Sequence, residues 1–475
     1  MPDYKSLSAY EIAAGVSSGK LSAVELTQAA LKLAKTEGKE LNAFITTCEE
    51  KAIQQAKAID ASANKRGKPL AGVPVAIKDN ISYTDYPTTC ASHILDGYKP
   101  PYNATVVDRL IDAGAIIIGK TNLDEFAMGS SNENSYYGPV KNPIDHTLVP
   151  GGSSGGSVAA VAQKIVPLAF GSETGGSVRQ PASFCGVYGL KPTYGALSRY
   201  GLVAFGSSLD QIGVVTRSAE DMALAFEVVA GRDENDSTSV AFDQPNYTSE
   251  FDKDKKFKIG IPKEYFSEGL DPQVEKIVRD AIKALEKEGH SFVEISLPMS
   301  EKGIAVYYIV ACAEASSNLA RYDGVKYGLR EAANADLATM YSTTRAQGFG
   351  AEVKRRIMLG TYVLSSGYYE AYYRKASKVR ELIRRDFETA FNKVDLIISP
   401  TCPTPAFKLG EKVTDPLSMY LSDIYTVSAN LASICAISVP FGAVSDGRPV
   451  GVQFSAPWFG ELALFQIANI LEKLK

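Results

Sequence analysis

Strand-like and helix-like segments alternate along this sequence, and this alternation predicts an α/β fold. At residues 72–80 the chain becomes apolar, which indicates a buried strand that delivers Lys78 at its end. Thr105 and Asp108 are typical of a capping box that opens a helix, and the apolar run 115–118 after it predicts another strand. Strands that alternate with helices favour a sheet covered by helices.

The N-terminal part is expected to be helical over about residues 7–60. Ser22 is a suitable cap for a helix, with Glu25 three residues later. Apolar residues then recur at helical spacing on one face, namely Leu26, Ala29, Ala30 and Leu33. Val24 and Leu31 lie on the opposite side, so we expect this helix to be covered on both sides.

The second half of the chain is predicted to carry long helices. Residues 271–288 and much of 350–393 have a helical pattern with a basic polar face, and 233–256 is a polar surface connection. Residues 424–445 are uncharged, but their polar residues and glycine and proline favour buried strands and loops over a membrane span.

No internal repeat divides the sequence, so we predict one domain over residues 1–475. Its parts are the N-terminal helical segment, a core at about 65–230, and a helical region with the remaining core at about 257–475.

Composition narrows the function classes. The 475 residues are 45% hydrophobic and 22% charged, as in soluble globular proteins, and no signal peptide is visible, so cytoplasmic residence is expected. A net charge of -4 gives no electrostatic footprint for nucleic acid. Six cysteines without CxxC spacing predict free, buried thiols rather than a zinc site or a disulfide framework.

Two motifs match known patterns without their structural context. Residues 114–121 fit the phosphate-loop pattern, but their middle positions read as the strand itself. Residues 151–155 fit the G-x-S-x-G nucleophile elbow, which needs an acid and a histidine downstream. Only His290 of the three histidines lies downstream, at a predicted helix end, while His93 and His146 fall in polar loops. A serine-histidine hydrolase is therefore disfavoured.

The densest unusual sequence consists of two glycine-serine clusters, at 150–157 and 171–181. Glycine at this density lets backbone NH groups approach a ligand closely, although a pair of flexible turns is the plain alternative. A serine nucleophile without a histidine needs another base, and a lysine made neutral by its surroundings is a recognised variant. Lys78 suits that role, while an ordinary lysine that reaches the surface from a strand end remains the alternative.

Together, Lys78 and the clusters at 151–157 and 175–181 resemble the amidase signature family. The resemblance implies a central mixed β-sheet flanked by helices on both faces. It also implies that Ser177 is the nucleophile, that Ser153 relays the proton from a cis peptide, and that Lys78 is the base. An oxyanion hole is implied at the backbone NH groups of Thr174, Gly175, Gly176 and Ser177.

Within that family the chain most resembles the glutaminase subunits of tRNA-dependent amidotransferases. Four stretches carry this resemblance, at residues 123–129, 208–213, 236–239 and 353–360. It implies that Arg356 holds the α-carboxylate of glutamine and Asp423 its α-ammonium, with Tyr307 as a further pocket residue. The alternative for Arg356 is one of several basic residues on a helix face.

The activity implied by the resemblance is release of ammonia from glutamine for transamidation of Glu-tRNA(Gln) or Asp-tRNA(Asn). The implied partners are glutamine and the B and C subunits of a heterotrimer. We expect tRNA to bind mainly to the partner subunit, and we expect no association of this chain with a membrane. No cofactor or metal is expected in this chain, since ATP and magnesium would serve the partner.

Three alternatives stay open at the level of sequence. One is a stand-alone Ser-Ser-Lys amidase that acts on another small or fatty amide, and the second is a non-catalytic assembly subunit. The third replaces the serine nucleophile with the thiol of Cys185.

Overall fold

The computed structural model describes residues 3–474, and one sheet of eleven strands runs through them. Its spatial order is β1-β3-β2-β4-β6-β5-β10-β11-β9-β7-β8. The strands are β1 Phe44–Thr47, β2 Pro74–Lys78, β3 Ile116–Thr121, β4 Leu168–Glu173, β5 Tyr188–Lys191, β6 Gln211–Thr216, β7 Lys258–Pro262, β8 Ser291–Ile295, β9 Leu396–Pro400, β10 Cys435–Ala443 and β11 Pro449–Ala456.

Seventeen α-helices accompany the sheet between residues 3 and 474. They are α1 Ala9–Ser17, α2 Ala23–Lys35, α3 Glu37–Glu40, α4 Glu49–Ala61, α5 Thr105–Asp112, α6 Gly155–Ala162, α7 Arg179–Cys185, α8 Ala219–Val229, α9 Tyr247–Glu250, α10 Pro272–Lys287, α11 Gly303–Asn318, α12 Leu337–Gly348, α13 Ala351–Leu364, α14 Lys375–Phe391, α15 Pro416–Tyr420, α16 Val427–Leu431 and α17 Glu461–Glu472.

The sheet is mixed, as expected. Strand β2 pairs in parallel with both β3 and β4, and β7 pairs in parallel with β8 and β9. The pairs at the centre, β4 with β6, β6 with β5, and β5 with β10, are antiparallel. The predicted α/β class with a mixed central sheet is confirmed.

Helices pack on both faces of the sheet because neighbouring strand residues enter different cores. In β9, Leu396 and Ile398 join a large core that also contains α17, whereas Ile397 joins a second core with α11 and α14. Successive side chains of a strand point to opposite faces, so the two cores lie on opposite sides of the sheet.

The N-terminal segment differs in one respect from the helical segment that the sequence predicts. Ser22 caps α2 by accepting a hydrogen bond from the backbone NH of Glu25 at 3.3 Å, as expected. Residues Phe44–Thr47, however, form the edge strand β1, antiparallel to β3. Four half-buried residues carry too little periodicity to distinguish a strand from a helix.

The capping box predicted at Thr105 is wrong. Thr105 is the first residue of α5, its hydroxyl donates to Asp233 at 2.5 Å, and Asp108 accepts from Asn103 instead. The helix is found as expected, because its apolar periodicity is independent of the cap.

Residues 424–445 are also partly different from expectation, since α16 occupies Val427–Leu431 before β10 begins. The helix of residues 271–288 is confirmed as α10. The helical pattern of 350–393 is confirmed as α13 and α14, separated by a loop and a π-helical turn, Glu370–Arg374.

All six cysteines are buried and free, as predicted. Over residues 3–474, no helix combines the length and the apolar character that a membrane crossing needs.

Candidate active site

Lys78 ends the buried strand β2 and has none of its surface exposed. Because β2, β3 and β4 run parallel, their carboxyl ends meet at one edge of the sheet. Open α/β sheets bind ligands at such an edge. The apolar strand therefore carries an amine into the interior, and the alternative of a lysine that reaches the surface is wrong.

The Lys78 amine contacts three oxygens. Its Nζ donates to Ser153 Oγ at 2.7 Å, to Ser154 Oγ at 2.9 Å and to the carbonyl of Ser172 at 3.3 Å. Burial lowers the pKa of Lys78 to about 7, although the carboxylates of Asp124 and Asp210 favour its charged form. A large share of Lys78 is therefore neutral near pH 7 and able to accept a proton from a hydroxyl.

Ser153 lies just before α6, and the Gly152–Ser153 peptide bond is cis, the geometry that the resemblance implies. The NH of Gly152 donates to Gln180 Oε1 at 3.0 Å. A Cβ on Gly152 would lie 2.1 Å from Asp124 Oδ2, so this position admits no side chain. The serine loop is thus packed directly against Asp124 and α7.

Ser177 lies in the loop between β4 and α7, beside the first serine loop. The NH of Ser154 donates to the carbonyl of Ser177 at 3.1 Å, which joins the two loops. Ser177 is 7% exposed, whereas Ser153 and Lys78 are fully buried. The structure therefore brings Lys78, Ser153 and the Ser177 loop together, with Ser177 on the more open side.

The backbone NH groups of residues 174–177 are available to a ligand. Throughout the described range 3–474, no protein acceptor takes a hydrogen bond from them. Gly176 has φ +151°, and a Cβ there would lie 2.2 Å from Thr426 Oγ1, so glycine is required. Buried NH groups are rarely unpaired in proteins, and unpaired NH groups beside a serine suit a developing oxyanion.

A buried ion pair, which the sequence reasoning missed, fixes the ends of this loop. Glu173 and Arg179 have no exposed side-chain surface, and Arg179 Nε donates to Glu173 at 2.7 Å. Glu173 Oε2 also accepts from the NH groups of Val178 and Arg179, both at 3.1 Å. The sequence contains a signal for this ion pair, since an acidic and a basic residue stand at the two ends of the glycine-rich loop.

Asp210 is a second residue that the sequence reasoning did not assign. It accepts a hydrogen bond from Thr174 Oγ1 at 2.6 Å and others from the NH groups of Phe205 and Gly206. Burial raises the pKa of Asp210 to about 6. Asp210 therefore fixes the side chain of Thr174, the first residue of the Ser177 loop.

Tyr307 and Asp423 both lie against the Ser177 loop. A Cβ on Gly175 would be 2.6 Å from Cζ of Tyr307, and one on Gly176 would be 3.0 Å from Asp423 Oδ1. Both side chains are buried. Tyr307 and Asp423 therefore line one side of the Ser177 loop.

Asp423 has one carboxylate oxygen satisfied and one free. Oδ2 accepts from Ser130 Oγ at 2.5 Å, whereas Oδ1 is buried and has no hydrogen-bond partner among the residues described. Burial raises the pKa of Asp423 to about 7, while Ser130 and Arg356 act in the opposite direction. A buried acceptor without a donor suits a ligand that brings one, such as an ammonium group.

Arg356 is buried in α13, which excludes the alternative of a basic residue on an exposed helix face. Its Nε donates to Glu352 at 2.8 Å, which leaves the two terminal nitrogens for other acceptors. The guanidinium carbon lies 5.2 Å from the ring centre of Tyr308 and 5.5 Å from that of Tyr420. A cavity of about 140 Å³ opens beside it.

The histidine and thiol alternatives find no support in the geometry. His290 Nδ1 accepts from the NH of Phe257 at 3.1 Å, and His93 stacks on Tyr136 with 4.8 Å between ring centres. Cys185 is buried, and burial raises the pKa of its thiol far above the ordinary value. Residues 116–121 of the apparent phosphate loop are strand β3, as expected.

Comparison with known proteins gives a family and close relatives. The family model described as Amidase matches residues 25–465. The A subunit of glutamyl-tRNA(Gln) amidotransferase from Carboxydothermus hydrogenoformans is 56% identical over 472 residues, which cover 98% of this chain and 97% of the relative. The protein of the same name from Gloeobacter violaceus is 54% identical, over 96% of this chain and 94% of the relative.

Solved structures agree with these relatives. The A subunit of glutamyl-tRNA(Gln) amidotransferase from Thermotoga maritima has a TM-score of 0.82 and 43% identity, with 100% of this chain and 96% of that chain covered. A 6-aminohexanoate cyclic dimer hydrolase in complex with its substrate has a TM-score of 0.85 and 27% identity, with 99% and 97% covered.

Proposed function

The chain belongs to the amidase family, and from this premise we propose that it releases ammonia from glutamine as the glutaminase subunit of a tRNA-dependent amidotransferase. The observation that carries the mechanism is the 2.7 Å contact between Lys78 Nζ and Ser153 Oγ in a fully buried setting. The names of its relatives support the substrate and the assembly.

In the proposed reaction, Ser177 Oγ attacks the carbonyl carbon of the glutamine side-chain amide. The proton of Ser177 passes to Ser153, whose own proton passes to neutral Lys78. The tetrahedral oxyanion is stabilised by the free NH groups of residues 174–177, where each donor contributes about 3 to 4 kcal/mol to transition-state stabilisation.

Collapse of the tetrahedral intermediate breaks the carbon-nitrogen bond. The proton held on Lys78 returns through Ser153 to the departing nitrogen, which leaves as ammonia, and a glutamyl ester remains on Ser177. Water, deprotonated through the same two residues, then attacks the ester and releases glutamate.

Two charged groups recognise the amino-acid end of glutamine in this proposal. Asp423 Oδ1, buried without a partner in the described structure, receives the α-ammonium. The terminal nitrogens of Arg356 receive the α-carboxylate, since a planar guanidinium matches a carboxylate well. Tyr307 packs on Gly175 and closes this side of the pocket.

The ammonia is delivered to a partner in the assembly that we propose, a heterotrimer with B and C subunits in the cytoplasm. The partner holds Glu-tRNA(Gln) or Asp-tRNA(Asn) and uses ATP and magnesium, while this chain supplies neither a cofactor nor a metal. The overall charge of -4 supports a partner as the carrier of tRNA.

The test is release of glutamate and ammonia from glutamine by the purified chain, with and without the co-expressed partner subunits. We expect hydrolysis that depends on Ser177 and is stimulated by the partners. If glutamine is not hydrolysed even with partners, while another small or fatty amide is, the chain is a stand-alone amidase and the proposal is wrong.

A further inference from the structure

The outward side of α13 and the turn after it form an exposed apolar surface, which we call the tyrosine face. It consists of Met358, Leu359, Tyr362, Tyr368 and Tyr372. Met358 is 73% exposed, and the other four are each at least 40% exposed. Single exposed apolar residues are ordinary, but a contiguous set marks an interaction site.

The tyrosines of this face are arranged as a cluster. The ring centres of Tyr362 and Tyr368 are 4.3 Å apart, and those of Tyr368 and Tyr372 are 6.0 Å apart and stacked. The π-helical turn Glu370–Arg374 presents Tyr372. Pi-helical turns occur frequently at functional sites, and tyrosine, methionine and arginine are enriched in protein interfaces.

Basic residues flank the tyrosine face along the sequence, although the chain as a whole carries a negative net charge. Lysine and arginine are exposed on both sides of it along the sequence, namely Lys354, Arg355, Arg374, Lys375 and Lys378. Glu370 is the one exposed acidic residue between 351 and 378, and it pairs with Arg374 at 2.6 Å. Arg355 pairs with the buried Glu352, so within the described residues the flanking charges without an ion pair are those of Lys354, Lys375 and Lys378. Since the whole chain carries -4, this local excess favours a partner with an acidic rim.

The opposite side of α13 belongs to the candidate active site. Arg356 is buried there, and α13 packs closely on α11, since a Cβ on Gly360 would lie 1.9 Å from the carbonyl of Cys312. Helix α11 carries Tyr307. A protein that binds the outer side of α13 would therefore contact the helix that carries Arg356 and that packs on the helix of Tyr307.

We propose that the tyrosine face is the docking surface for the protein subunit that receives the ammonia. This inference rests on the proposed function and adds the surface at which the partner subunit binds. The partner surface has an apolar centre that accepts the tyrosines and Met358, and an acidic rim opposite Lys375 and Lys378.

The experiment uses the full chain co-expressed with the cognate B and C subunits. Met358→Glu places a charge on the most exposed residue of the face, and the double variant Tyr362→Ala with Tyr372→Ala removes two rings. Leu337→Glu is the matched control, since Leu337 is 61% exposed at the start of α12, outside the tyrosine face. Complex formation is measured by co-purification and by titration of the purified subunits.

We expect the affinity for the partner to fall at least about 30-fold in both tyrosine-face variants, as at interface hot spots, and to remain unchanged in Leu337→Glu. Glutamine hydrolysis by the isolated variants, without partner, is expected to equal that of the isolated wild type. Unchanged thermal melting establishes that the variants are folded.

Three outcomes would overturn the inference in different ways. If the wild type binds the partner and the variants bind equally well, the tyrosine face is not the docking surface, and the proposed function stands. If the isolated chain binds tRNA and Met358→Glu abolishes that binding, the face serves nucleic acid. If the wild type forms no complex with the partner subunits, both the inference and the proposed assembly fail.

Discussion

The protonation state of Lys78 sets the pH range in which Ser177 is activated. Burial lowers the pKa of Lys78 to about 7, so the neutral base is lost as the pH falls below that value. We predict that kcat for glutamine declines about tenfold per pH unit below about 7 and reaches a plateau above it. The pH dependence of kcat is measured from glutamate release at saturating glutamine, in assays quenched at fixed times between pH 5 and 9.

The matched variant is Lys78→Met, which keeps the length and removes the base. We expect its kcat to be at least about 100-fold lower than that of the wild type. We also expect the decline of kcat below about pH 7 to be absent from the variant. A wild-type kcat that stays constant down to pH 5 would contradict the role of Lys78.

Asp423 is predicted to act on glutamine binding more than on catalysis. Asp423→Asn keeps an acceptor for Ser130 but removes the negative charge that faces an ammonium. Loss of one charged hydrogen bond of about 1.5 to 3 kcal/mol raises KM by about 10- to 150-fold. Steady-state kinetics of the variant give KM and kcat separately.

The control is Asp446→Asn, an exposed aspartate paired with Arg448, for which no change in KM is expected. If Asp423→Asn lowers kcat and leaves KM unchanged, Asp423 does not bind the substrate ammonium.

Lys78 and the two serine loops were predictable because each has a local pattern, a charged end to an apolar strand or a dense glycine-serine cluster, and because the resemblance to the amidase signature family implies that they act together. Ser130 and Asp210 were not, since no local pattern marks either residue and their roles follow from the partners that the fold brings to them. Ser130 bonds to Asp423, which is 293 positions away, and Asp210 bonds to Thr174 where the paired strands β6 and β4 meet the loops. Such contacts depend on the tertiary fold and leave no periodic pattern.

At the scale of elements, α13 is held at its start by a buried glutamate. The NH of Gly350 donates to both carboxylate oxygens of Glu125, at 2.9 and 3.1 Å, and Ser92 Oγ also donates to Glu125. Helix α13 carries Arg356 little more than one turn later. Glu125 is therefore a positioning residue for the predicted carboxylate site.

We predict that Glu125→Ala raises KM for glutamine more than it lowers kcat, because α13 loses its fixed start. It should also lower the free energy of unfolding by about 1 to 3 kcal/mol, since buried donors are left unpaired. Glu125→Gln retains an acceptor for Gly350 and should restore most of both properties. Kinetics combined with denaturant unfolding test this, and an unchanged KM in Glu125→Ala would refute the positioning role.

Most elements could be predicted where the apolar periodicity is long, as in α2, α10, α13 and α14. The short elements could not. Phe44–Thr47 forms a strand because β3 offers it an edge, and Val427–Leu431 forms a helix between buried segments. In both segments tertiary contacts outweigh the local sequence pattern.

At the scale of the whole molecule, burying Lys78 reduces stability near neutral pH. The pKa of Lys78 is about 7 when folded and 10.5 in its ordinary state, so the unfolded chain binds more protons between these values. Stability is therefore lost as the pH falls from about 10 to 7, by about 1.4 kcal/mol per unit, and no further below 7.

The comparison of wild type with Lys78→Met isolates this contribution from other titrating groups. We predict that the difference in unfolding free energy between the two proteins shifts in favour of the variant as the pH falls from 9.5 to 7. Urea unfolding at several pH values measures it. A difference that is independent of pH would mean that Lys78 is not neutral in the folded protein.

The most direct test of the account is to trap the intermediate on Ser177. The complex is mixed with glutamine, quenched in acid within the first turnover, digested and examined by mass spectrometry. We predict a glutamyl ester on the peptide that contains Ser177, sensitive to hydroxylamine and absent from Ser177→Ala, which hydrolyses no glutamine. A glutamyl adduct on Cys185, or undiminished glutamine hydrolysis by Ser177→Ala, would contradict the account.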